Sequence, residues 1–222
     1  MARNRLMDSP LRMALALTAL LWLGLAMLPA GAQALAFTDA LAAEDTGTGR
    51  FPDESAAQAV NLPDDWAQTR PRLNAPLWYR LRFDAAAGAN QAGPLGLYIE
   101  RACANVEIQL NGQQLYAAGS MSDPISLDCQ RPLLVALPVA LLRERGNTID
   151  LRLAGYALQQ VASRQRAGGI AAPMIGSYAQ LHARHARDAL IAVTLPTVGS
   201  ALLLLTGALI FVMARLRRRD SH

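Results

Sequence analysis

The chain has 222 residues, of which 52% are apolar and 17% are charged, and its formal net charge is +4. The length suits one domain with attached membrane segments and excludes a large multidomain enzyme, while the high apolar fraction argues against a nucleic-acid-binding protein. The charge is unevenly placed, with three arginines against one acid in residues 1–34, 14 against 15 in 35–188, and four against one in 189–222. All 21 basic residues are arginine. The positive excess therefore lies at the two ends, where it marks membrane segments.

Residues 1–34 have the pattern of a secretory signal peptide. Arg3, Arg5 and Arg12 precede a 16-residue apolar run at 13–28, and the AQA at 32–34 fits a cleavage site. The run is shorter than the roughly 20 apolar residues of a spanning helix, which favours cleavage after Ala34. An uncleaved N-terminal anchor is the alternative. Both would carry the following chain across a membrane.

The middle of the chain changes character at residue 62. Residues 35–61 show little periodicity and are predicted to form a flexible lead-in with one short helix near 55–60. Beyond them, apolar and polar residues alternate, which is typical of half-buried strands. The predicted strands lie at 78–83, 95–100, 104–110, 113–117, 132–137 and 147–156.

These strands predict a mainly β fold, an antiparallel β-sandwich over residues 62–177. Asn111 and Gly112 separate two alternating runs and give the strongest short hairpin signal. The predicted core consists of apolar residues on one face of each strand: Leu81, Phe83, Val106, Ile108, Leu110, Leu134, Ile149, Leu151 and Leu153.

The C-terminal region predicts a single transmembrane helix. Residues 178–188 lack Gly and Pro and form a predicted juxtamembrane helix, followed by 26 uncharged residues at 189–214. Four arginines lie in the last segment, 215–222, which the positive-inside rule places in the cytoplasm. The predicted protein is thus a single-pass membrane protein, with residues 35–188 outside the cytoplasm and 215–222 inside.

Cys103 and Cys129 are the only cysteines. In an exported domain they are expected to form a disulfide, closing a loop of roughly 27 residues at a gain of about 3–4 kcal/mol. Two buried free thiols are the alternative. No metal site is expected, since His182 and His185 lack further ligands and fit solvated interfacial residues.

No nucleophile elbow, phosphate loop or zinc-protease motif is present, and we expect neither catalysis nor a cofactor. The most unusual polar stretch contains Arg164, Gln165 and Arg166, followed by Gly168 and Gly169, which allow close backbone approach. The planar guanidinium group of arginine donates paired hydrogen bonds that suit a carboxylate or phosphate. The candidate ligand-binding residues are therefore Arg164, Gln165 and Arg166, together with Trp78. A loop packed on the sandwich by ion pairs is the alternative for this stretch.

The order of four segments resembles a known fold. LPDDW at 62–66, WYRLRF at 78–83, ANVEIQLNGQQL at 104–115 and NTIDLRL at 147–153 resemble the galactose-binding-like jelly roll, which also forms the N-terminal sugar-binding domain of family 2 glycoside hydrolases. RACANVEIQLNG at 101–112, CQRP at 129–132 and GYALQQVASRQRAGG at 155–169 look like the periplasmic input domain of bacterial membrane sensors, chiefly histidine kinases and diguanylate cyclases. The resemblance covers about residues 60–185.

The resemblance implies a sensory, ligand-binding role in a signal-transduction receptor of a bacterial inner membrane, with residues 35–188 in the periplasm. Such sensors, including those of two-component systems, continue into a kinase or cyclase domain that this chain lacks, so we expect a truncated or split receptor. Its expected partners are the inner membrane, a small ligand or periplasmic protein, and a cytoplasmic signalling partner or a second copy; nucleic acid is not expected. A stand-alone, membrane-tethered carbohydrate-binding or envelope-interaction protein, or a glycosidase accessory domain, are the alternatives.

Overall fold

The structure, a computed structural model, describes residues 34–85, 93–121, 125, 129 and 131–219, without the side chains of Gln165 and 216–219. Apart from Ala34, the predicted signal peptide lies outside this part of the chain. The strands are β1 (Leu35–Ala36), β2 (Asp39–Glu44), β3 (Gln58–Asn61), β4 (Asp64–Asp65), β5 (Leu77–Phe83), β6 (Leu95–Ile99), β7 (Ala102–Cys103), β8 (Asn105–Leu110), β9 (Gln113–Ala117), β10 (Leu133–Leu137), β11 (Asn147–Ala154), β12 (Gly169–Ile170) and β13 (Met174–Ser177). The helices are α1 (Trp66–Thr69), α2 (Tyr178–Ala189) and α3 (Leu195–Arg219), with a π-helical segment, Leu190–Thr194, between the last two.

The strands form three antiparallel sheets. A six-stranded sheet has the order β3-β2-β5-β11-β8-β9, a four-stranded sheet the order β1-β13-β6-β10, and a small sheet the order β4-β12-β7. Apolar side chains from the two larger sheets share one core. The prediction of a mainly β fold with the architecture of an antiparallel sandwich is confirmed.

Eight of the nine predicted core residues are buried, and Leu134 is the exception. In β10 it pairs with Tyr98 of β6, and both side chains point away from the core, toward α2. Leu133 and Val135, which pair with Ile99 and Leu97, pack against the core instead. The run LLVAL is apolar throughout, so its composition does not reveal which face of the strand is inward.

The expected flexible lead-in at 35–61 instead supplies β1, β2 and β3. Strand β2 lies between β3 and β5 in the six-stranded sheet, and Ala40 and Ala42 alternate into the core. Its sequence, DALAAE, has low intrinsic strand preference. Tertiary pairing, rather than local propensity, therefore determines its conformation. The short helix expected near 55–60 is a single 3₁₀ turn, Glu54–Ala56, followed by β3.

Residues 45–57 cross the outer face of the six-stranded sheet, and we call them the strap. Arg80 of β5 forms a bidentate ion pair with Asp150 of β11, at 2.7 and 2.8 Å, and its guanidinium lies 4.1 Å from the Phe51 ring. Asp45 accepts hydrogen bonds from Trp78 and Arg152 at 2.8 and 2.6 Å. Burial alone would raise the pKa of Asp45, but these hydrogen bonds outweigh it and lower the pKa below its usual value. Charged groups therefore hold the strap in place.

Helix α2 covers the outer face of the four-stranded sheet. Leu181 is 2% exposed there, and Gly96 of β6 permits the close approach, since a Cβ at this glycine would lie 3.2 Å from the Tyr178 ring. The amide of Tyr178 also donates to the Pro94 carbonyl at 2.9 Å. The helix is thus attached to the sandwich along its length.

The helical path then continues through the π-helical segment into α3. Within the described residues, one helix, Tyr178–Arg215, is long and apolar enough to cross a membrane. Pro196 lacks an amide hydrogen and its ring crowds the preceding turn, which gives a local reason for the π-helical segment just before it. Ser200 and Thr206 donate to carbonyls four residues earlier at 2.8 Å, which satisfies their hydroxyls without water.

Candidate functional site

A buried polar network lies beneath the region that contains the predicted ligand-binding arginines. Tyr79 donates to Asp64 at 2.6 Å and accepts from the Trp66 indole at 2.6 Å. Asp64, 2% exposed, also accepts from Thr69 at 2.7 Å and from Arg70. Burial, followed by the contact with the Asp64 carboxylate, raises the pKa of Tyr79 far above its usual value. Every residue of the network has a polar partner, so this end of the sandwich is rigidly specified.

The chain between β11 and β12 passes over Trp66. At Gly168, φ is +138° and a Cβ would lie 2.3 Å from the Trp66 ring, so only glycine fits both the conformation and the space. Strand β12 then pairs with β4 on one side and β7 on the other. This packing fixes the preceding 3₁₀ turn, Arg164–Arg166, on the surface beside α1, and Arg164 lies 3.6 Å from Asp65.

The disulfide between Cys103 and Cys129 is present, as the sequence predicts. Cys103 belongs to β7, which is hydrogen-bonded to β12, so the bridge anchors residue 129 to the same small sheet. Arg101 lies two residues before the first cysteine and Arg131 two residues after the second. The covalent bond therefore places both arginines beside the Arg164–Arg166 turn.

The C-terminal part of α2 forms the opposite wall. Tyr98 donates to Asp188 at 2.6 Å, and the Arg184 guanidinium lies 5.5 Å from the Tyr98 ring. Burial, followed by the Asp188 carboxylate, raises the pKa of Tyr98 well above its usual value. Arg184 is also 3.7 Å from Glu100, and His185 contacts the carbonyl of Pro132 at 3.1 Å. These contacts fix the helix immediately before the apolar segment begins.

Together these elements enclose an open groove of about 1440 Å³, the basic groove. One wall carries Arg101, Arg131, Arg164 and Arg166, and the other carries Asp188 and the residues at the start of the apolar helix: Ile191, Ala192, Val193, Pro196 and Thr197. The groove thus combines a cluster of guanidinium groups with the start of the apolar helix. A second groove of about 430 Å³ lies beside it and contains His185 and Tyr116.

The acids that line the basic groove are already engaged. Asp65 accepts from the Ala67 amide and the Gln68 side chain, Glu100 lies near Arg184, and Asp188 accepts from Tyr98. By contrast, within the described part of the chain no ion pair or side-chain hydrogen bond involves Arg101 or Arg166. The groove therefore offers guanidinium donors suited to an anion.

The predicted ligand-binding residues separate into two places. Arg164 and Arg166 line the basic groove, and the backbone of Gln165 lies between them in the same turn. Trp78 lies on the outer face of the six-stranded sheet, 0% exposed, beneath the strap. Its indole donates to Asp45, so in this conformation a ligand in solvent does not reach its ring. Ligand binding by these residues stays a prediction.

Sequence reasoning missed Arg101, Arg131 and Tyr98. The signal for the two arginines was available, because each lies two residues from a cysteine and the predicted disulfide brings the cysteines together. The role of Tyr98 depends on α2 lying on the outer face of the sheet, which no local pattern encodes. Among the described residues no group of His, Cys, Asp and Glu suits a metal ion, and His182 lies 6.0 Å from the Tyr178 ring.

No protein-family model matches the chain, and no curated protein is significantly similar to it. Among solved structures, the chain is similar to a glycosyl hydrolase family 2 member from Bacteroides cellulosilyticus, with 17% identity, a TM-score of 0.47, and coverage of 65% of this chain and 20% of that protein. For a Faecalibacterium prausnitzii β-glucuronidase the identity is 14%, the TM-score 0.45, and the coverage 64% and 30%. For a Ruminococcus gnavus β-glucuronidase these values are 11%, 0.46, 64% and 28%.

This chain therefore spans less than a third of the length of these enzymes. At such low identity and TM-score the likeness carries no argument, and the sandwich architecture rests on the two packed sheets themselves.

Proposed function

We propose that this chain is the sensory input module of a membrane-anchored receptor, in which occupation of the basic groove is communicated through α2 and α3 to a cytoplasmic output partner. The observation that carries the proposal is the attachment of α2 to the sandwich and its direct helical continuation into α3. The proposal assigns no catalysis to this chain. It places the sandwich outside the cytoplasm and the C-terminus inside, in a bacterial inner membrane.

The groove is the natural input site because its two walls belong to the two parts that must be coupled. Arg164 and Arg166 belong to the sandwich, whereas Asp188 and Ile191 belong to the helical path. A ligand that contacts both walls stabilises one relative position of helix and sandwich over others, and it shifts the equilibrium by its difference in affinity for them. A mere tether would need no such arrangement, since a flexible linker would serve.

A helical phase scan tests this proposal. One to seven alanines are inserted between Ala189 and Leu190 of the full chain, which carries a histidine-kinase core fused after His222, and autophosphorylation is measured in membranes. Each inserted residue rotates the following helix by roughly 100°, so insertions of four and seven nearly restore the original phase. We expect kinase output to vary at least about fivefold with phase and to return toward the parent value at four and seven.

The control inserts the same alanines after Glu144, in an exposed loop between β10 and β11. These insertions leave helical phase unchanged and should leave output unchanged. Output that stays within twofold for every insertion after Ala189 would refute mechanical coupling and favour a tethered binding protein. An alkaline phosphatase fused after His222 should be inactive in a bacterial host, and an active fusion would reverse the proposed orientation.

A further inference from the structure

We propose that the ligand of the basic groove is the anionic phosphodiester headgroup of a membrane phospholipid, held by Arg101 and Arg166. This inference rests on the proposed function in taking the groove as the input site, and it names the chemistry of the ligand. Three observations carry it: the depth of the groove relative to the membrane, the composition of its two walls, and the arginines without ion-pair partners.

The groove lies at headgroup depth. The 26 uncharged residues at 189–214 span about 39 Å as a helix, against a hydrocarbon core of roughly 30 Å. If the segment is centred, about 4–5 Å of helix at each end extends into the headgroup layer. Ile191 and Val193, which line the groove, then lie within this layer or at its inner boundary.

The two walls match the two parts of a phospholipid. A ligand dissolved in water would gain nothing from a wall of Ile191, Ala192 and Val193, residues whose surroundings in a membrane are lipid. A phospholipid presents acyl chains and glycerol to that wall and its phosphate to the arginine wall. At this depth a phospholipid reaches the groove from within the leaflet, so diffusion from bulk water is not required.

The arginines supply the charge complementarity. Arg164 lies near Asp65, whereas Arg101 and Arg166 have no ion pair among the described residues. Guanidinium groups donate paired hydrogen bonds to phosphate oxygens, and each arginine near an anionic leaflet strengthens the attraction. A zwitterionic headgroup carries a compensating cation, so the groove should prefer an anionic lipid.

The test measures lipid binding to the full chain in detergent micelles by native mass spectrometry, with phosphatidylglycerol and phosphatidylcholine as probes. We expect phosphatidylglycerol to bind at least about tenfold more tightly. The double variant Arg101→Gln/Arg166→Gln should lose on the order of 30-fold in phosphatidylglycerol affinity, while Arg101→Lys/Arg166→Lys, which keeps the charge, should lose less. The matched control is Arg143→Gln/Arg145→Gln. It removes two exposed arginines that lie just before the start of β11, and this variant should bind phosphatidylglycerol as the parent does.

Equal binding of the two lipids, or an equal loss in the control variant, would overturn the proposal. So would displacement of phosphatidylglycerol by millimolar inorganic phosphate, since this would identify a site for soluble phosphate. If kinase output depends on helical phase but the two lipids bind equally, only the lipid assignment is refuted and the sensory function stands. Lipid preference with a flat phase scan supports the lipid site and refutes the sensory function.

Discussion

The Tyr79 hydroxyl connects the two halves of the buried polar network, and Tyr79→Phe removes it with little change in shape. The substitution leaves the buried Trp66 N–H without its acceptor and removes one donor from the Asp64 carboxylate. An unsatisfied buried donor costs about 1–3 kcal/mol, and a hydrogen bond to a charged group contributes about 1.5–3 kcal/mol. Because Asp64 keeps its bonds from Thr69 and Arg70, we expect a loss of about 2–4 kcal/mol in the free energy of unfolding.

The same substitution has a separate signature at alkaline pH. The pKa of Tyr79 is raised in the folded state, so above about pH 10 the unfolded chain loses a proton that the folded chain retains. The unfolded state then binds fewer protons, and stability falls as pH rises, by about 1.4 kcal/mol per pH unit for each such group. The chain contains no lysine, so tyrosines dominate this range. Tyr79→Phe should flatten the alkaline decline by roughly one proton.

Both quantities follow from urea unfolding of the full chain in detergent, monitored by tryptophan fluorescence from pH 7 to 11. Tyr116→Phe is the matched control, since Tyr116 is half-buried and its hydroxyl makes no hydrogen bond within the described residues. It should change stability by less than about 0.5 kcal/mol. A Tyr79→Phe variant as stable as this control at pH 7, or an unchanged alkaline slope, would refute the reasoning.

Three further predictions concern the disulfide, the close approach over Trp66 and the strap. Cys103→Ser/Cys129→Ser should lower the free energy of unfolding by about 3–4 kcal/mol. Non-reducing peptide mapping of the parent chain, purified without reductant, should recover the linked pair, and free thiols would contradict it. Gly168→Ala should cost more than about 2 kcal/mol in urea unfolding, whereas Gly47→Ala, which also has positive φ but open space, should cost about 1 kcal/mol; equal losses would show that crowding is not the cause. The lowered pKa of Asp45 contributes stability above about pH 4 that is lost as pH falls, so Asp45→Asn should flatten the acid limb of stability, and an unchanged limb would count against the strap contacts.

The strands with alternating side chains were predictable because burial of one face imposes period two. Strands β5, β8 and β11 lie where the sequence placed them, and Asn111, with φ of +51°, and Gly112 form the predicted tight turn. The alanine-rich β2 was missed because its neighbours in the sheet, rather than its own residues, stabilise it. The prediction of which face of β10 points into the core was wrong, because a strand that is covered on both faces is apolar throughout and shows no alternation.

The candidate site was predictable only in part. Arg164 and Arg166 were identified from local composition. The disulfide was predicted because an exported domain is expected to lie in an oxidising compartment. Identifying Arg101 and Arg131 would have required combining these two inferences, because each arginine lies two residues from a cysteine of the predicted disulfide. Trp78 is covered by the strap, which comes from a segment that the sequence predicts to be flexible. Contacts between residues distant in sequence thus determine both the arginines that were missed and the covering of Trp78.

The strap and α2 together have a consequence for how any second macromolecule meets the sandwich. The strap occupies the outer face of one large sheet and α2 that of the other, so neither broad surface is open to a flat partner along its whole length. Among the described residues, what remains are the sheet edges and the two ends of the sandwich, one with the Asn111 turn and the other with the basic groove. A large partner must therefore approach end-on or by pairing along an edge strand, and these two geometries bury different, separable sets of backbone amides.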